Sequence, residues 1–429
     1  MSLRLQCVLI LQKILEENLF FNALKEELNS KDKPFANRLI LTALRRKAAV
    51  DKLLSSLMRK PVSAKYNIIK YVLLAGSVEL LYMQTPDYAV INEYVEMAKS
   101  QTDRFCAGMV NAVLRNVLKN KENMENQAFF PKSFAALLKK DYTPAQIKKM
   151  EEMLKILPPL DIFCKEKPIQ VAKMLGGDLY ENGSIRVLNP KANISLLSGY
   201  DEGLWWVQDM AASLPISLLQ NLKGKKVLDL CAAPGGKTAQ LLSKGAFVTA
   251  LDISESRLST LKENMARLKL SENLTTLCED ALCFLTDRPE MFDLILLDAP
   301  CSATGTFRRH PEILHIKKAD DVTKQSILQQ RLLEAAAKRV AFWGKLLYCT
   351  CSLFQIEGET QIELFLKEHS EFALKTFDRR HLNFPNAKKI DLTFFDKKFL
   401  RTLPYDMKNE GGIDGFFAAF LERVEKKEK

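Results

Sequence analysis

The chain of 429 residues lacks several features that would place it in a common class. It has only four histidines, and Cys349 and Cys351 are the one pair of its nine cysteines separated by a single residue, so we expect no metal site. No apolar run approaches the roughly 20 residues of a membrane span, and no small-residue cleavage site follows the apolar stretch at the amino terminus. We therefore expect a cytoplasmic protein with reduced thiols and no membrane partner.

Glycine and proline are scarce at the start of the chain. The first 126 residues contain two glycines and three prolines, which is the punctuation expected between helices and not between strands. Apolar residues there recur at intervals of three and four, as in residues 39–44, so that each segment presents one stripe to a helical core. We predict an all-helical domain over residues 1–125, followed by a connector or small RNA-binding subdomain over residues 126–200.

Acidic residues are too few to balance the basic ones. The chain carries a formal net charge of +11, and residues 1–126 hold 19 Lys and Arg against 13 Asp and Glu. An excess of this kind suits a polyanionic partner, and we expect RNA. Arg45, Arg46 and Lys47 stand together at the predicted end of one helical segment, where they form either a solvated helix end or a phosphate contact.

From Lys225 onward, apolar β-like runs alternate with helical segments, which is typical of a parallel sheet with crossover helices. The predicted strands are residues 226–230, 247–251, 274–278, 292–297 and 344–349. We expect residues 415–421 to add an edge strand. Residues 201–429 are thus predicted to form an α/β domain.

A Gly-x-Gly-x-x-Gly loop, the signature of dinucleotide binding, is absent. In its place, the turn Cys231-Ala232-Ala233-Pro234-Gly235-Gly236-Lys237 follows the first strand of this domain, where the glycines allow backbone amides to approach a ligand closely. Asp252 follows the next strand and suits a ribose hydroxyl, and Asp280 follows the third strand and suits an adenine amino group. Because such a pocket would hold a nucleoside without cradling phosphates, S-adenosylmethionine fits it better than NAD.

Two cysteines end neighbouring strands of the predicted sheet. Cys301 closes Asp298-Ala299-Pro300-Cys301, and Cys351 is the centre of Thr350-Cys351-Ser352. A lone cysteine at a strand end is ordinarily a small buried side chain, but two in these settings suit attack on a pyrimidine. Carbon 5 of cytosine becomes nucleophilic only after a group such as a thiolate adds to carbon 6. A second thiol or an ordered water could then assist release.

The basic segment Arg308-Arg309-His310-Pro311 follows Cys301 closely, in a loop that we expect to face the same opening. RNA phosphate or base contacts are one reading of this segment, and a simple loop-to-helix transition is the other. The segment alone leaves both readings open.

These motifs resemble those of the Sun (Fmu) type of RNA cytosine-C5 methyltransferase, a bacterial family that modifies small-subunit ribosomal RNA. The likeness spans nearly the whole chain. The matching motifs are Asp229 to Lys237, Asp298 to Cys301, Arg308 to Pro311 and Thr350 to Ser352, with Gln208-Asp209 and Asp414 to Phe417 as flanking ones.

The resemblance implies a Rossmann-like class I methyltransferase domain and gives the two thiols separate roles. In such enzymes the position of Cys351 supplies the nucleophile, and the position of Cys301 supplies the thiol needed for product release. The residues implied to surround S-adenosylmethionine are Cys231, Ala232, Ala233, Pro234, Gly235, Gly236, Lys237, Asp252, Asp280 and Asp298.

Residues 1–125 resemble the NusB-like helical RNA-binding domain that precedes this catalytic domain in the bacterial ribosomal RNA enzyme. Leu74-Ala75-Gly76, Ala89 to Glu93 and Asn111 to Arg115 carry that likeness. It favours 16S rRNA as the partner, naked or in an early assembly particle. We separately expect a monomer. Methylation of transfer RNA by the same chemistry and a non-catalytic RNA-binding assembly factor are the alternatives.

The chain departs from the family at two places. Leu160-Asp161-Ile162-Phe163 stands where Leu-Arg-Ile/Val-Asn is common, and Gln355-Ile356-Glu357-Gly358 stands where Pro-Glu-Glu-Asn is common. We expect the first departure to change the contacts made by the arginine and the asparagine. We expect the second to weaken the support of Cys351.

Overall fold

The computed structural model describes residues 1–24, 28–29, 31–188, 193–390 and 398–425. The chain forms two compact units. The helical unit comprises Met1–Ile156 with Phe307–Lys318, and the sheet unit comprises Leu157–Thr306 with Ala319–Lys429. The domain boundaries predicted at residues 125 and 200 stay predictions. Among the described helices, none is both long enough and apolar enough to cross a membrane.

The described residues of the helical unit form no strand, as predicted from the scarcity of glycine and proline. Its first nine helices are α1 (Leu3–Glu17), α2 (Phe21–Leu24), α3 (Lys33–Leu57), α4 (Ile68–Tyr82), α5 (Asp87–Gln101), α6 (Arg104–Leu118), α7 (Lys121–Glu125), α8 (Lys132–Leu138) and α9 (Pro144–Glu152). Further along the chain come α10 (Pro168–Leu175), α11 (Met210–Ser217), α12 (Gly236–Ser243), α13 (Glu255–Arg267), α14 (Ala281–Asp287), α15 (Ile313–Ile316), α16 (Ala319–Ala337) and α17 (Glu359–Glu368). Of these later helices, α15 belongs to the helical unit.

Helix α4 forms the centre of the helical unit because it is apolar nearly all round. It contacts α1, α3, α5 and α6, which together cover its sides. Its buried carboxylate, Glu79, accepts hydrogen bonds from both Arg4 Nε and Arg4 Nη2, at 3.0 and 2.6 Å, and from the Tyr94 hydroxyl at 3.0 Å. The buried negative charge of Glu79 is therefore paired with Arg4 and hydrogen-bonded by Tyr94.

The basic cluster at residues 45–47 is not a helix end. Arg45 and Arg46 lie inside α3 and are buried. Arg45 donates two hydrogen bonds to the Arg308 carbonyl, and Arg46 donates one to the Gln127 carbonyl at 2.8 Å. Both predicted readings of these two arginines are wrong, because their guanidinium groups satisfy backbone carbonyls within the unit.

The segment 307–318 packs within the helical unit and carries the whole basic motif that follows Cys301. Arg308 is only 1% exposed, and the Phe307 ring meets the Phe130 ring edge-on at 5.2 Å. His315 Nε2 lies 2.8 Å from the Leu44 carbonyl oxygen. The prediction of an RNA contact is therefore wrong for the Arg308 side chain, because the fold buries it. For half-buried Arg309 and His310 it stays a prediction.

The sheet unit contains a small sheet and a large one. Its strands are β1 (Leu160–Cys164), β2 (Asp178–Leu179), β3 (Ser184–Val187), β4 (Trp205–Val207), β5 (Lys226–Leu230), β6 (Phe247–Asp252), β7 (Leu274–Cys278), β8 (Phe292–Asp298), β9 (Val340–Thr350), β10 (Phe372–Lys375), β11 (Leu400–Thr402) and β12 (Phe416–Arg423). The small sheet has the order β2-β3-β1-β4 and is antiparallel. The large sheet has the order β10-β12-β9-β8-β5-β6-β7, with β11 beside β12.

Strands β5 to β9 of the large sheet are parallel, and helices cover both of its faces. Along β8, Leu294 and Leu296 pack into a core with α11, α12 and α13, whereas Ile295 and Leu297 pack into a second core with α14, α16 and α17. Alternation of this kind is what a strand buried between two helical layers requires. The predicted Rossmann-like α/β architecture is confirmed.

The five predicted parallel strands are present, with β9 beginning four residues earlier than expected. The prediction of an edge strand at 415–421 is wrong. Strand β12 lies between β9 and β10 and pairs antiparallel with both. The short strand β10, after α17, pairs with the far side of β12 and takes the edge position itself.

A buried ion pair joins β1 and β3 of the small sheet at the first departure from the family. Both oxygens of Asp161 accept hydrogen bonds from Arg186 at 2.7 Å, and Asp161 also accepts from the Met210 amide at 3.2 Å. Both side chains of the pair are at most 3% exposed. The family's arginine position thus holds a carboxylate here, and its arginine partner comes from β3.

We expect Arg186→Met to lower the free energy of unfolding by about 3–5 kcal/mol, because it leaves Asp161 buried without its counter-ion. Urea denaturation followed by circular dichroism measures this change. The control is Lys226→Met, which removes an exposed pair with Glu290 and should cost less than about 1 kcal/mol. Equal effects of the two substitutions would contradict the role given to the buried pair.

Candidate active site

The carboxyl ends of the parallel strands bring the predicted site residues to one edge of the large sheet. Strand β5 leads into the turn at 231–237, β6 ends at Asp252, β8 ends at Asp298, and β9 ends one residue before Cys351. Because β6, β5, β8 and β9 are neighbours in that order, these segments lie side by side. Residues far apart in the chain therefore meet in one place.

The turn after β5 is held close to neighbouring structure. Gly235 has a φ of 99° and precedes α12, and a Cβ at this position would lie 2.9 Å from Leu261 Cγ. Glycine is required here because any other residue would be strained in this left-handed backbone conformation and its Cβ would clash with Leu261. The Ala232 amide donates to the Leu251 carbonyl at 2.9 Å, which ties the turn to β6.

Two of the predicted cofactor carboxylates already bind backbone amides. Asp252 is 2% exposed and accepts from the amides of Ala233 and Ser254, at 3.1 and 3.0 Å. Asp280 caps α14, where one of its oxygens accepts from the Leu282 amide at 2.9 Å and from the Cys283 amide. Since a carboxylate offers about four acceptor positions, these bonds leave capacity for a ligand.

Lys237 and Asp298 form an ion pair that links the turn to the end of β8. Lys237 Nζ lies 2.7 Å from Asp298 Oδ2. Burial lowers the pKa of Lys237, but the negative charge of Asp298 and the hydrogen bond to its carboxylate outweigh burial and raise the pKa of Lys237 overall.

Cys301 and Cys351 are neighbours at the ends of β8 and β9. Their Sγ atoms are 3.4 Å apart, and both residues are half-buried. The hydrogen bond to Cys351, together with burial, raises the pKa of Cys301 well above its ordinary value. Cys301 therefore keeps its proton at neutral pH. Such a pair suits unequal roles, in which one sulfur attacks and the other exchanges a proton.

Glu357 accepts hydrogen bonds from both cysteine loops and is fully buried. Its Oε2 accepts from the hydroxyls of Ser302 and Ser352, and its Oε1 accepts from the Ser302 amide at 2.8 Å and from Gln329 Nε2 at 3.0 Å. Each serine directly follows one of the cysteines. One carboxylate therefore sets the spacing of the two loops.

The second departure from the family keeps this acid. Gln355, Ile356 and Gly358 differ from Pro-Glu-Glu-Asn, but Glu357 occupies the third position of the motif, where the family has Glu. The expectation of weakened support for Cys351 is wrong, because the acid that is retained is the one that contacts the cysteine loops.

Two glycines bring a further strand into contact with these loops. The Gly305 amide donates to the Cys351 carbonyl, and the Gly415 amide donates to the Gly305 carbonyl, both at 2.9 Å. A Cβ on Gly305 would lie 1.9 Å from the Gly415 carbonyl oxygen, so no side chain fits between the two backbones. The flanking motif at 414–417 therefore acts through close backbone approach.

The other flanking motif supports the helix after the cofactor turn. Gln208 Nε2 donates to Gln240 Oε1 on α12 at 2.6 Å. Asp209 caps α11 by accepting from the Ala211 amide at 2.9 Å, and it also accepts from the Asp414 amide at 3.4 Å. These contacts join both flanking motifs to the frame of the site.

Sequence reasoning did not single out several residues that frame the thiols, notably Ser302, Gln329, Glu357 and Arg401. Arg401 donates to the carbonyl of Ser352 at 2.6 Å. The serine beside each cysteine and the acid in the family's motif were available signals. Gln329 and Arg401 carried no signal, because they come from α16 and β11, which have no recognised motif.

A metal centre is not suggested by the described parts of the chain, where no group of three or more His, Cys, Asp or Glu residues could hold a metal ion. The candidate site is thus built from two thiols, an ion pair, carboxylates and a glycine-containing turn.

Comparison with known proteins links both units to described families. A family model described as 16S rRNA methyltransferase RsmB/F matches residues 216–422, and a NusB family model matches residues 1–119. The ribosomal RNA small subunit methyltransferase B of Photorhabdus laumondii is 31% identical over 370 residues, which cover 82% of this chain and 86% of that protein.

Solved structures share the fold. The crystal structure of PH0851 superposes with a TM-score of 0.74 at 22% identity, covering 99% of each chain. A methyltransferase homolog protein from Pyrococcus horikoshii superposes with a TM-score of 0.53 at 25% identity, covering 68% of this chain and 99% of that one. The first of these likenesses extends over both units.

We expect Glu357→Ala to loosen the cysteine loops. The substitution leaves two hydroxyls and two N–H groups without their shared acceptor, which should lower the free energy of unfolding by about 2–4 kcal/mol. In the folded variant, diamide should form the Cys301–Cys351 disulfide about tenfold more slowly, because the thiols no longer hold one spacing. Mass spectrometry of quenched samples measures that rate.

Glu363→Ala is the matched control, because this acid is exposed on the same stretch of chain. It should change neither quantity. An unaltered disulfide rate in Glu357→Ala would show that the carboxylate does not set the spacing of the thiols.

Proposed function

Because the chain belongs to the RsmB/F family of 16S rRNA methyltransferases, we propose that it methylates carbon 5 of one cytosine in 16S rRNA with S-adenosylmethionine as the methyl donor. Cys351 bonds covalently to carbon 6 of that cytosine, and Cys301 assists release. The observation that carries the proposal is the pair of sulfurs 3.4 Å apart at adjacent strand ends. A reaction that needs two thiols accounts for this arrangement, whereas methylation of a protein or a small molecule does not.

The donor set at the turn fits a nucleoside that carries no phosphate. Asp252 has acceptor capacity left for ribose hydroxyls, and exposed Asp280 can accept from an amino group. The residues proposed to hold the donor are Cys231, Ala232, Ala233, Pro234, Gly235, Gly236, Lys237, Asp252, Asp280 and Asp298. S-adenosylmethionine supplies an electrophilic methyl group when it is bound.

Cys351 is the nucleophile in this proposal. Its sulfur attacks as the thiolate, because the anion is the nucleophilic form of a thiol. Addition of that sulfur to carbon 6 breaks the 5,6 double bond and makes carbon 5 nucleophilic. Carbon 5 then takes the methyl group.

Cys301 acts at the release step. After methyl transfer a water molecule acts as base and takes the proton on carbon 5. The electron pair of that C–H bond restores the 5,6 double bond, and the bond from carbon 6 to Cys351 breaks with its electron pair leaving on sulfur. Because Cys301 keeps its proton and lies beside the departing sulfur, its S–H group can donate a hydrogen bond to the thiolate that forms. The two thiols therefore act at opposite ends of one catalytic cycle.

The target cytosine must leave its stack before it can react. A stacked base cannot present carbon 6 to Cys351 and carbon 5 to the methyl donor at once, so we propose that the base is flipped out, at a cost of about a few kcal/mol. The helical unit supplies contacts to the rest of the RNA. We propose that a monomer acts in the cytoplasm on naked 16S rRNA or on an early assembly particle.

Transfer RNA is the runner-up substrate, since the cysteine chemistry is the same for both RNAs. The NusB match over residues 1–119 favours ribosomal RNA. A non-catalytic assembly factor would have no need of paired thiols beside an intact cofactor turn, and these features argue against that function.

Cys351→Ala should reduce methylation to background, because it removes the sulfur that is proposed to add to carbon 6. The assay follows tritiated methyl groups from S-adenosylmethionine into 16S rRNA prepared from cells that lack this protein. Cys283→Ala, which removes an exposed thiol, is the control and should retain full activity. Full turnover by Cys351→Ala would remove the covalent mechanism.

Cys301→Ala should allow attack and methyl transfer but slow release. RNA should then accumulate as a complex that survives denaturing electrophoresis, and the double variant Cys301→Ala/Cys351→Ala should lose that complex. Turnover in the single variant should fall by about 100-fold or more, the range associated with a positioned proton donor. If no trapped species forms, Cys301 has no part in release.

A further inference from the structure

A groove crosses the helical unit between α1, α3 and α4. Its volume is about 740 Å³, within the roughly 300–1,000 Å³ that ligand sites occupy. The loop at 58–62, which follows α3, forms part of its wall, and His315 on α15 also lines it. All of these residues belong to the helical unit, whereas the thiols belong to the sheet unit.

The groove has an apolar floor. The side chains that form it are Leu15, Leu54, Met58, Val62, Leu73 and Leu74. Leu54, Leu73 and Leu74 are buried, while the other three remain half-buried at the surface. Apolar surface gathered in a concavity marks a place where a partner's flat or apolar group is taken out of water.

Cations surround this floor. Arg59, Lys60 and Lys70 are exposed, and none of them forms an ion pair with a described residue. Lys47 is paired at 2.5 Å with Asp51, the one acid among the described lining residues. Around the groove, these three cations thus form no direct ion pair among the described residues.

One further acid lies close to the groove. Glu16 interacts electrostatically with Lys70, but it is held by hydrogen bonds from the Tyr71 hydroxyl at 2.8 Å and from Gln12 at 3.0 Å. It therefore reduces the positive potential near Lys70 without cancelling the excess on Arg59 and Lys60. The ligand that complements this rim is an anion.

His315 adds a neutral polar edge. Burial lowers the pKa of His315 to about 4, so the ring is uncharged at neutral pH. Because a carbonyl oxygen can only accept, Nε2 carries the proton and donates to the Leu44 carbonyl. The Nδ1 atom of the neutral ring then carries a lone pair and can accept a hydrogen bond.

We propose that this groove binds an unpaired segment of the substrate RNA, with a base on the apolar floor and phosphates at Arg59, Lys60 and Lys70. The inference rests on the proposed function, since it takes RNA as the substrate. Single strands offer this combination of an exposed flat base and regularly spaced negative charge. An acidic helical peptide fits less well, because two turns of a helix about 11 Å wide fill roughly 1,000 Å³.

The test compares RNA binding by the full chain and by the variant Arg59→Ala/Lys60→Ala/Lys70→Ala. The probe is an in vitro transcript of 16S rRNA, and affinity is measured over a series of salt concentrations. We expect about 10- to 100-fold weaker binding and a fall of about 2 in the slope of log affinity against log salt, as for three lost phosphate contacts. The KM for RNA should rise by the same factor while kcat stays unchanged.

The matched control is Lys119→Ala/Lys132→Ala/Lys139→Ala, which removes three exposed lysines of the helical unit outside the groove. It should change affinity by less than about threefold. An equal loss of RNA affinity in both triple variants would overturn the proposal, because the loss would then result from the lower net charge and not from the groove. Unaltered affinity in the groove variant would overturn it as well.

A second variant tests the floor independently of the charges. Ser55→Trp places an indole in the groove from an exposed lining position, so we expect weaker RNA binding with the salt slope retained. If RNA binding is unaltered, no base binds on the apolar floor of the groove. Binding and methylation are measured separately, so a chain that binds the transcript through the groove but transfers no methyl group would contradict the proposed reaction and not the groove.

Discussion

The two thiols can share one reaction only while their loops keep one spacing, and the buried carboxylate of Glu357 sets that spacing. It accepts hydrogen bonds from two hydroxyls and two N–H groups, and three of these four donors belong to the serines that follow the cysteines. Four donors satisfy a carboxylate without a counter-ion, which makes its burial tolerable. The Sγ–Sγ distance of 3.4 Å therefore depends on a group that touches neither sulfur.

The remainder of the site is connected to this anchor through the large sheet. Lys237 joins the cofactor turn to Asp298 at the end of β8, and Asp252 ties the same turn to the end of β6. The strands that carry these residues are buried between two helical layers, so their ends move little relative to one another. The donor's methyl group and the attacking sulfur must meet within a fraction of an ångström, and loops on such a frame can meet that demand.

Sequence patterns predicted the parallel strands and the two thiols, because short apolar runs and strand-end motifs depend on local order. They did not predict the place of β12, since the four residues of β10 carry too weak a pattern to be recognised. They also misjudged Arg45 and Arg308, whose burial depends on partners more than 260 positions apart in the chain. The role of Glu357 was missed for the same reason, because it depends on two loops that are distant in the chain and meet only in the fold.

The proposed methylation can be read out by bisulfite sequencing of total RNA from cells with and without this protein. We expect one cytosine of 16S rRNA to be protected from conversion in normal cells and to lose that protection when the protein is absent. Restoring the unaltered chain should restore the protection at the same position. If every protected cytosine of 16S rRNA stays protected without the protein, the chain does not methylate 16S rRNA at carbon 5 of cytosine. If protection is lost only at a position of transfer RNA, the reaction stands and the proposed substrate is wrong.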